Sequence, residues 1–148
     1  MRHGLITIRR GKRTDLPALA PLLAFLPADN TDKKHLQHWR RLASDPAHDF
    51  YVAEQQGTLQ GMILVSYVRT LIHLGWLAVL DLALTPPALS EVSVELIDFA
   101  KARARKRGCQ RIVVYPNGSE HQMPLTPLLE TGFLRIGEVL SCPLQGTP

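Results

Sequence analysis

The run Gly75-Trp76-Leu77-Ala78-Val79-Leu80-Asp81-Leu82-Ala83-Leu84 decides the fold. A stretch this apolar, broken by one charge, has the pattern of a central strand covered on both faces rather than of a half-exposed one. Thr85-Pro86-Pro87 stops it, and Ser90 can cap a helix running to about Arg107. The first turns of that helix carry Glu91, Glu95 and Asp98 and its last turn is basic, an arrangement that suits the helix macrodipole. Gly108 ends it, as a residue tolerant of the left-handed conformation. Arg111 to Tyr115 (Arg-Ile-Val-Val-Tyr) then reads as a second buried strand. Strand, helix and strand in this order imply a parallel pair joined by a right-handed crossover.

Upstream, Leu5-Ile6-Thr7-Ile8-Arg9 alternates as a first strand. Thr14-Asp15 opens a helix with Leu16, Leu19, Ala20, Leu22 and Leu23 at helical spacing, which Pro21 should shorten or kink. Thr31 can cap a second helix through about Leu42, with Leu36, Trp39 and Leu42 on its apolar side. Phe50 to Glu54 and Gln60 to Val68 form a hairpin around Gln55-Gln56-Gly57-Thr58. Downstream, Thr126-Pro127 opens a short helix, Gly132 closes it, and Phe133 to Ser141 reads as the last strand. No repeat or linker interrupts this order, so residues 1–148 are expected to form one mixed α/β domain.

The chain of 148 residues is 45% apolar, enough for one core that buries roughly 70% of the unfolded surface without staples. Its longest charge-free run, Gln55 to Val68, is too short and too polar to span a membrane, and no membrane partner is expected. The first residues lack an apolar run of secretory length, so a cytoplasmic location is expected, with Cys109 and Cys142 as reduced thiols. The net charge of +4 is unevenly spread. Residues 42–100 hold Arg69 alone against Asp45, Asp49, Glu54, Asp81, Glu91, Glu95 and Asp98, and basic segments flank them. That order could set an acidic cleft between basic flanks, or could be ordinary solvated faces grouped along the chain.

These elements, with the words Ile6-Thr7-Ile8-Arg9, Asp15-Leu16-Pro17, Tyr51-Val52-Ala53-Glu54, Gly61-Met62-Ile63, Leu80-Asp81-Leu82-Ala83-Leu84, Val113-Val114-Tyr115-Pro116-Asn117 and Glu130-Thr131-Gly132-Phe133, resemble the GNAT superfamily of acetyl-coenzyme A-dependent N-acetyltransferases. The resemblance runs from Ile6 to Leu144 and implies a mixed sheet of six to seven strands with about four helices. It also implies acetyl-CoA as co-substrate and direct attack by an amine in a ternary complex. In that family the fourth and fifth strands splay apart. The cofactor's pantetheine arm pairs with the exposed edge of the fourth, here Leu82, Ala83 and Leu84, and its pyrophosphate sits on amides of a glycine-rich turn. The turn here would involve Ala88, Leu89, Ser90, Glu91, Val92 and Ser93, with Asn117 completing the cofactor-binding set.

The sequence departs from the family pattern in two places. Counting back from Ala104 and Gly108 puts Ala88, Glu91 and Ser93 at the loop's key positions, and counting forward from Asp81 puts Leu89, Val92 and Val94 there. Neither register restores an arginine or a glycine. A carboxylate such as Glu91 about 4 Å from a phosphate is repelled by ~1 kcal/mol in water and ~4 at an effective dielectric of 20, although Glu91 can equally point away as a favourable first-turn charge. The second departure is Leu128, which stands where many members carry a tyrosine that protonates the departing thiolate.

The resemblance therefore directs the search for catalytic groups to Asp81 as base and to Tyr115 or His121 as substitute acid, with Glu54 as a further carboxylate. Each also has a plain structural reading, as a strand, loop or packing residue. His35 and His38 lie three apart on a predicted helix, but no third ligand accompanies them, and no metal is expected. Lys101 to Arg111 is basic without a recognisable reading motif, so nucleic acid is not the expected partner; the cluster could equally serve the cofactor's phosphates. The expected acceptor is an amine of a small molecule or peptide, cationic if the acidic middle segment forms its site. Self-association into a homodimer is left open. The competing expectation is a catalytically silent GNAT-fold module that binds a protein partner or holds CoA weakly.

Overall fold

The computed structural model describes residues 4–23, 33–72, 74–85, 88, 91–114, 125–137, 140 and 142–144. Five strands form one sheet in the order β1 (Ile6–Arg10), β2 (His48–Gln55), β3 (Thr58–Arg69), β4 (Trp76–Leu84) and β5 (Cys109–Val113). The first three pairings are antiparallel, and β4 and β5 are parallel. Four α-segments accompany them: α1 (Ala20–Leu23), a single turn, then α2 (Lys33–Ser44), α3 (Glu91–Lys106) and α4 (Leu125–Glu130). The expected helix from Thr14 is instead two 3-10 turns, Arg13–Asp15 and Pro17–Leu19, running into α1. Pro21 removes an amide that a continuous helix would need, whereas Pro17 would fall in its first turn, where amides lack intrahelical acceptors.

Strand alternation builds two cores. Tyr51 and Ala53 of β2, Ile63 and Val65 of β3, and Ala78, Leu80, Leu82 and Leu84 of β4 face α3, where Val92, Leu96, Ile97, Ala100 and Ala104 meet them. On the other face, Phe50, Val52, Met62 and Leu64 pack against Leu16, Leu19, Leu22 and α2 residues Trp39 and Leu42. Gly11 is required by this second core, because a Cβ there would stand 2.1 Å from Phe50 Cε1. Gly108 closes α3 at φ +78°, as its position after a basic last turn predicts.

Three expectations are corrected among the described residues. The sheet has five strands rather than six to seven, because Phe133–Ile136 forms no strand and Leu134 and Ile136 are exposed. An apolar run becomes a strand only where a neighbouring edge pairs with it, and no described strand lies beyond β5. α4 begins at Leu125, one residue before the expected cap; Pro127 is tolerated there because first-turn amides lack intrahelical acceptors anyway. Finally, β4 is not covered on both faces. α2 packs on β2 rather than over β4, so Asp81 is exposed on that side while Leu80 and Leu82 are buried on the other.

One buried carboxylate ties the C-terminal half of α3 to the sheet. Asp49 is fully buried on β2 and accepts hydrogen bonds from Tyr67 Oη at 2.6 Å and Arg107 Nη2 at 3.0 Å, with Arg103 Nε at 3.4 Å and Arg10 Nη2 at 3.6 Å. Burial alone would push its carboxyl up, but the Tyr67 hydrogen bond and the charges of Arg107 and Arg103 hold it below the ordinary carboxylate range. A depressed native pKa gives stability that is present above the unfolded value and is lost as pH falls toward the native one. Asp49→Ala strands several buried partners, so calorimetry is expected to show a melting temperature lower by roughly 10 °C at pH 7, with a much smaller difference from wild type near pH 3.

Candidate active site

β4 is paired along its whole length on one side and only in part on the other. Against β3 the register runs without a shift from Gly61↔Leu84 to Arg69↔Trp76. Against β5 it ends at Val79↔Val113. Beyond that point no described strand pairs with β4 on that side from Leu80 to Leu84. The Thr85 N–H donates to the Gln60 carbonyl at 2.9 Å. Antiparallel alternation then directs the N–H and C=O of Ala83 and Asp81 toward β3, and those of Leu82 and Leu84 toward the opposite edge. Of the three residues expected to offer that edge, two present main-chain groups to it. Ala83 presents none.

The turn after β4 is pinned to β3, since Thr85 Oγ1 also donates to the Gln60 carbonyl at 2.9 Å. Within it the Ala88 N–H donates to the Thr85 carbonyl at 2.8 Å, which removes one amide from the expected anion-binding turn. Glu91 is the exposed first residue of α3, while Val92 and Ser93 bury their side chains in the core beneath. Leu89, Ser90, Tyr115, Asn117 and His121 lie outside the described residues. Leu128 is buried against α3, a packing residue with no proton to give.

Asp81 stands on the face of β4 opposite α3, directly across from Leu64. It is accessible to solvent, yet the protein around it desolvates its carboxyl and raises it above the ordinary range, with the charge of nearby His48 acting in the opposite sense. His48 Nδ1 lies 2.8 Å from Ser66 Oγ and its Nε2 lies 3.5 Å from Asp45 Oδ2. The His48–Ser66 pair shares Asp81's face and was missed in the sequence. Alternation through His48, Phe50 and Val52, combined with the strand register, is the signal that could have found it.

Glu54 is spent elsewhere. Arg9 holds Asp15 through two bonds of 2.8 Å and Glu54 through one of 3.0 Å, so Glu54 serves as a counter-ion between β1 and β2. The expected acidic cleft does not assemble from its seven residues. Asp49 is neutralised by arginines, Glu54 is paired, and Glu91, Glu95 and Asp98 are exposed along α3. Asp81 and Asp45 are what remain near the uncovered face of β4. The basic residues at the end of α3 cannot serve phosphates at its start either, for the 16 residues of α3 separate its two ends by ~24 Å. No group of three or more potential metal ligands occurs among the described residues, and none of their helices is long and apolar enough to cross a membrane.

Five strands in sequence order, the first four antiparallel and the last parallel to the fourth across α3, define a mixed α/β architecture. The chain belongs to the Acetyltransferase (GNAT) family, whose pattern it matches over residues 16–133. Acetyl-CoA is that family's acetyl donor. No curated protein matches the chain. Among solved structures, a transcriptional regulator from Bacillus halodurans C-125 superposes with TM-score 0.79 at 19% identity, covering 95% of this chain and 100% of that one. An aminoglycoside acetyltransferase from an uncultured soil metagenomic sample, in complex with sisomicin, gives 0.76 at 18%, covering 96% and 97%. An aminoglycoside N-acetyltransferase in complex with CoA gives 0.79 at 16%, covering 98% of each chain. At these identities the likeness establishes the fold.

A carboxyl raised by desolvation weakens folding above its unfolded pKa, because the native state disfavours the charge it must then carry. Asp81→Asn is therefore expected to leave the melting temperature at pH 7 unchanged or to raise it by up to about two degrees, the gain being small for an accessible group. A fall of several degrees would show that Asp81 serves structure instead.

Proposed function

We propose that the protein transfers an acetyl group from acetyl-CoA to an amine, with the edge of β4 that faces away from β3 as the donor site and Asp81 as the general base. The observation that carries this reading is a single strand offering both features: main-chain groups of Leu82 and Leu84 that face away from β3 and that no described strand pairs, and an accessible, desolvated carboxyl beside them at Asp81. When bound, the thioester supplies the activated acetyl carbon. The N–H groups of Leu82 and Leu84 can hold the pantetheine arm and polarise the carbonyl oxygen. Asp81 accepts the proton of the incoming ammonium, freeing the nitrogen lone pair to form the new C–N bond as the C–S bond breaks. Tyr115 and His121 are our candidates for returning a proton to the sulfur, since Leu128 has none to give. Leu82, Ala83, Leu84, Ala88, Leu89, Ser90, Glu91, Val92, Ser93 and Asn117 form the proposed cofactor-binding set.

The pantetheine end fits the residues present better than the phosphate end does. One amide of the turn is internally bonded, and Glu91 adds a negative charge at the first residue of α3. Binding that relies on the strand edge more than on the loop follows from this. The acceptor is best read as a cationic amine, because Asp81 and Asp45 are the carboxylates near the uncovered face, and two of the similar folds belong to aminoglycoside acetyltransferases.

Saturating acetyl-CoA, at 100 times its dissociation constant, is expected to add ~2.7 kcal/mol of stability in a thermal-shift experiment. Glu91→Gln should tighten that binding about fivefold by calorimetric titration, which corresponds to ~1 kcal/mol of relieved repulsion. No shift at millimolar acetyl-CoA would favour the silent-module reading.

Initial rates on polyamine, amino-sugar and peptide amines are expected to favour polycations. Asp81→Asn should lower kcat by roughly 10²–10⁴ and remove the ascending limb of kcat/KM against pH. Loss of acetyl-CoA binding in the same variant would instead place Asp81 in donor binding. Whichever of Tyr115→Phe and His121→Gln lowers kcat without raising KM identifies the acid.

A further inference from the structure

The end of the sheet opposite Leu82 and Leu84 carries an exposed apolar tip inside a basic rim. Between Arg69, which ends β3, and Trp76, which begins β4, Leu71, Ile72 and Leu74 are 103%, 87% and 83% exposed. Side chains of this size so fully in water at one loop are unusual for a surface without a partner. The loop abuts the α3–β5 turn, since a Cβ on Gly75 would stand 3.4 Å from the Gly108 carbonyl oxygen. That turn and the last turn of α3 bring Arg105, Lys106 and Arg111 to the same end, all exposed and without an ion-pair partner among the described residues. Arg69 stacks 4.3 Å over the Trp76 ring and Arg107 stacks 4.6 Å over Tyr67, around a shallow pocket that Ala47 completes.

Of the acidic groups nearby, Asp49 is neutralised by the arginines around it, whereas Asp45 is half-exposed and bonded to an uncharged N–H. Asp49 is buried under Arg107 at 3.0 Å, and Asp45 accepts the Ala47 N–H at 2.9 Å and lies 3.5 Å from His48. This end therefore presents apolar side chains together with an excess of positive charge, Arg105, Lys106 and Arg111 outnumbering Asp45.

We infer that this tip docks on the surface of an anionic phospholipid bilayer, with Leu71, Ile72 and Leu74 entering the interfacial layer and Arg69, Arg105, Lys106 and Arg111 meeting the headgroups. Nucleic acid would use the charge and leave the leucines and isoleucine in water. A second copy docked about a two-fold axis would cover the apolar tip but would press two basic rims together. A charged bilayer takes both halves of the patch. Docking of this kind needs no membrane-crossing helix, so it departs from the sequence expectation of no membrane partner, which rested on the missing span. The proposed donor site, at Leu82 and Leu84, lies at the opposite end of β4 from Trp76.

The test is sedimentation of the full chain with vesicles of phosphatidylcholine alone or with one third phosphatidylglycerol. The chain is expected to bind the mixed vesicles and not the neutral ones, and to bind less as salt is raised. Leu71→Ser/Ile72→Ser/Leu74→Ser should weaken binding at least about tenfold, and Arg105→Gln/Lys106→Gln/Arg111→Gln about fivefold per charge. Both variants alter exposed side chains, and both should keep the wild-type melting temperature.

Three results would each overturn the proposal. One is absence of binding to the anionic vesicles. Another is binding that the serine variant retains in full, which would reduce the patch to a general polyanion site of the kind DNA retention also reports. The third is a dimer in sedimentation equilibrium that the serine variant abolishes while vesicles fail to compete with it, which would make a second copy the occupant.

Discussion

The unequal pairing of β4 is the constraint on which the rest depends. Its bonds to β3 run from end to end, whereas its bonds to β5 stop at Val79. A strand that is half edge and half interior would ordinarily be a liability, because unpaired N–H and C=O groups seek partners. Here the stretch that no described strand pairs is short, Leu80 to Leu84, belongs to a strand held along its other side by β3, and turns the main-chain groups of Leu82 and Leu84 away from β3. A strand fixed on one side in this way is what the proposed donor site for an extended, amide-bearing ligand would use.

α3 is held against the sheet by two kinds of contact. Its apolar face packs on β3 and β4, but apolar packing alone tolerates sliding and rotation. Asp49 adds direction: Arg103 from α3 and Arg107 from the turn just after it reach the same carboxylate, and Tyr67 reaches it from β3. Removing a carboxylate from water is costly unless every lone pair is met, and this one is met from several sides. The clamp lies at the C-terminal end of α3. It fixes the helix axis and so fixes the position of Glu91 and the first-turn amides ~24 Å away.

Much of this was legible from residue order. The apolar run ending at Leu84, the charge gradient of α3 and Gly108 after its basic turn each signal a local structure, and each element formed close to the expected bounds. Non-local features were less legible. Asp49 reads in sequence as one more acid in an acidic stretch, and only the pairing of β2 with β3 and the docking of α3 turn it into a buried counter-ion. The same holds for His48 and Ser66, which are 18 residues apart and meet through strand register. Asp81 was singled out as a charge in an apolar strand, but the expected burial on both faces was wrong, because nothing in the α2 sequence says which strand it will cover. The last strand failed for a related reason: alternation in Phe133–Ile136 promises an apolar face, and pairing depends on an edge elsewhere.

The missing glycines and the charge of Glu91 bear on affinity more than on turnover. Contacts to a pyrophosphate far from the reacting carbon are made equally in the ground state and in the transition state, so weakening them raises KM and leaves kcat nearly unchanged. Contacts at the carbonyl oxygen and at the attacking nitrogen strengthen as the reaction proceeds, and in the proposed reaction these fall to the main chain of β4 and to Asp81. On that proposal the departures of the loop from the family pattern leave the groups that set the rate in place. Leu128 is the departure that touches the chemistry itself, since a departing thiolate benefits from a proton only as the C–S bond breaks. Thiolates are good leaving groups even without that help, so the loss of a phenol there slows transfer less than the loss of the base would.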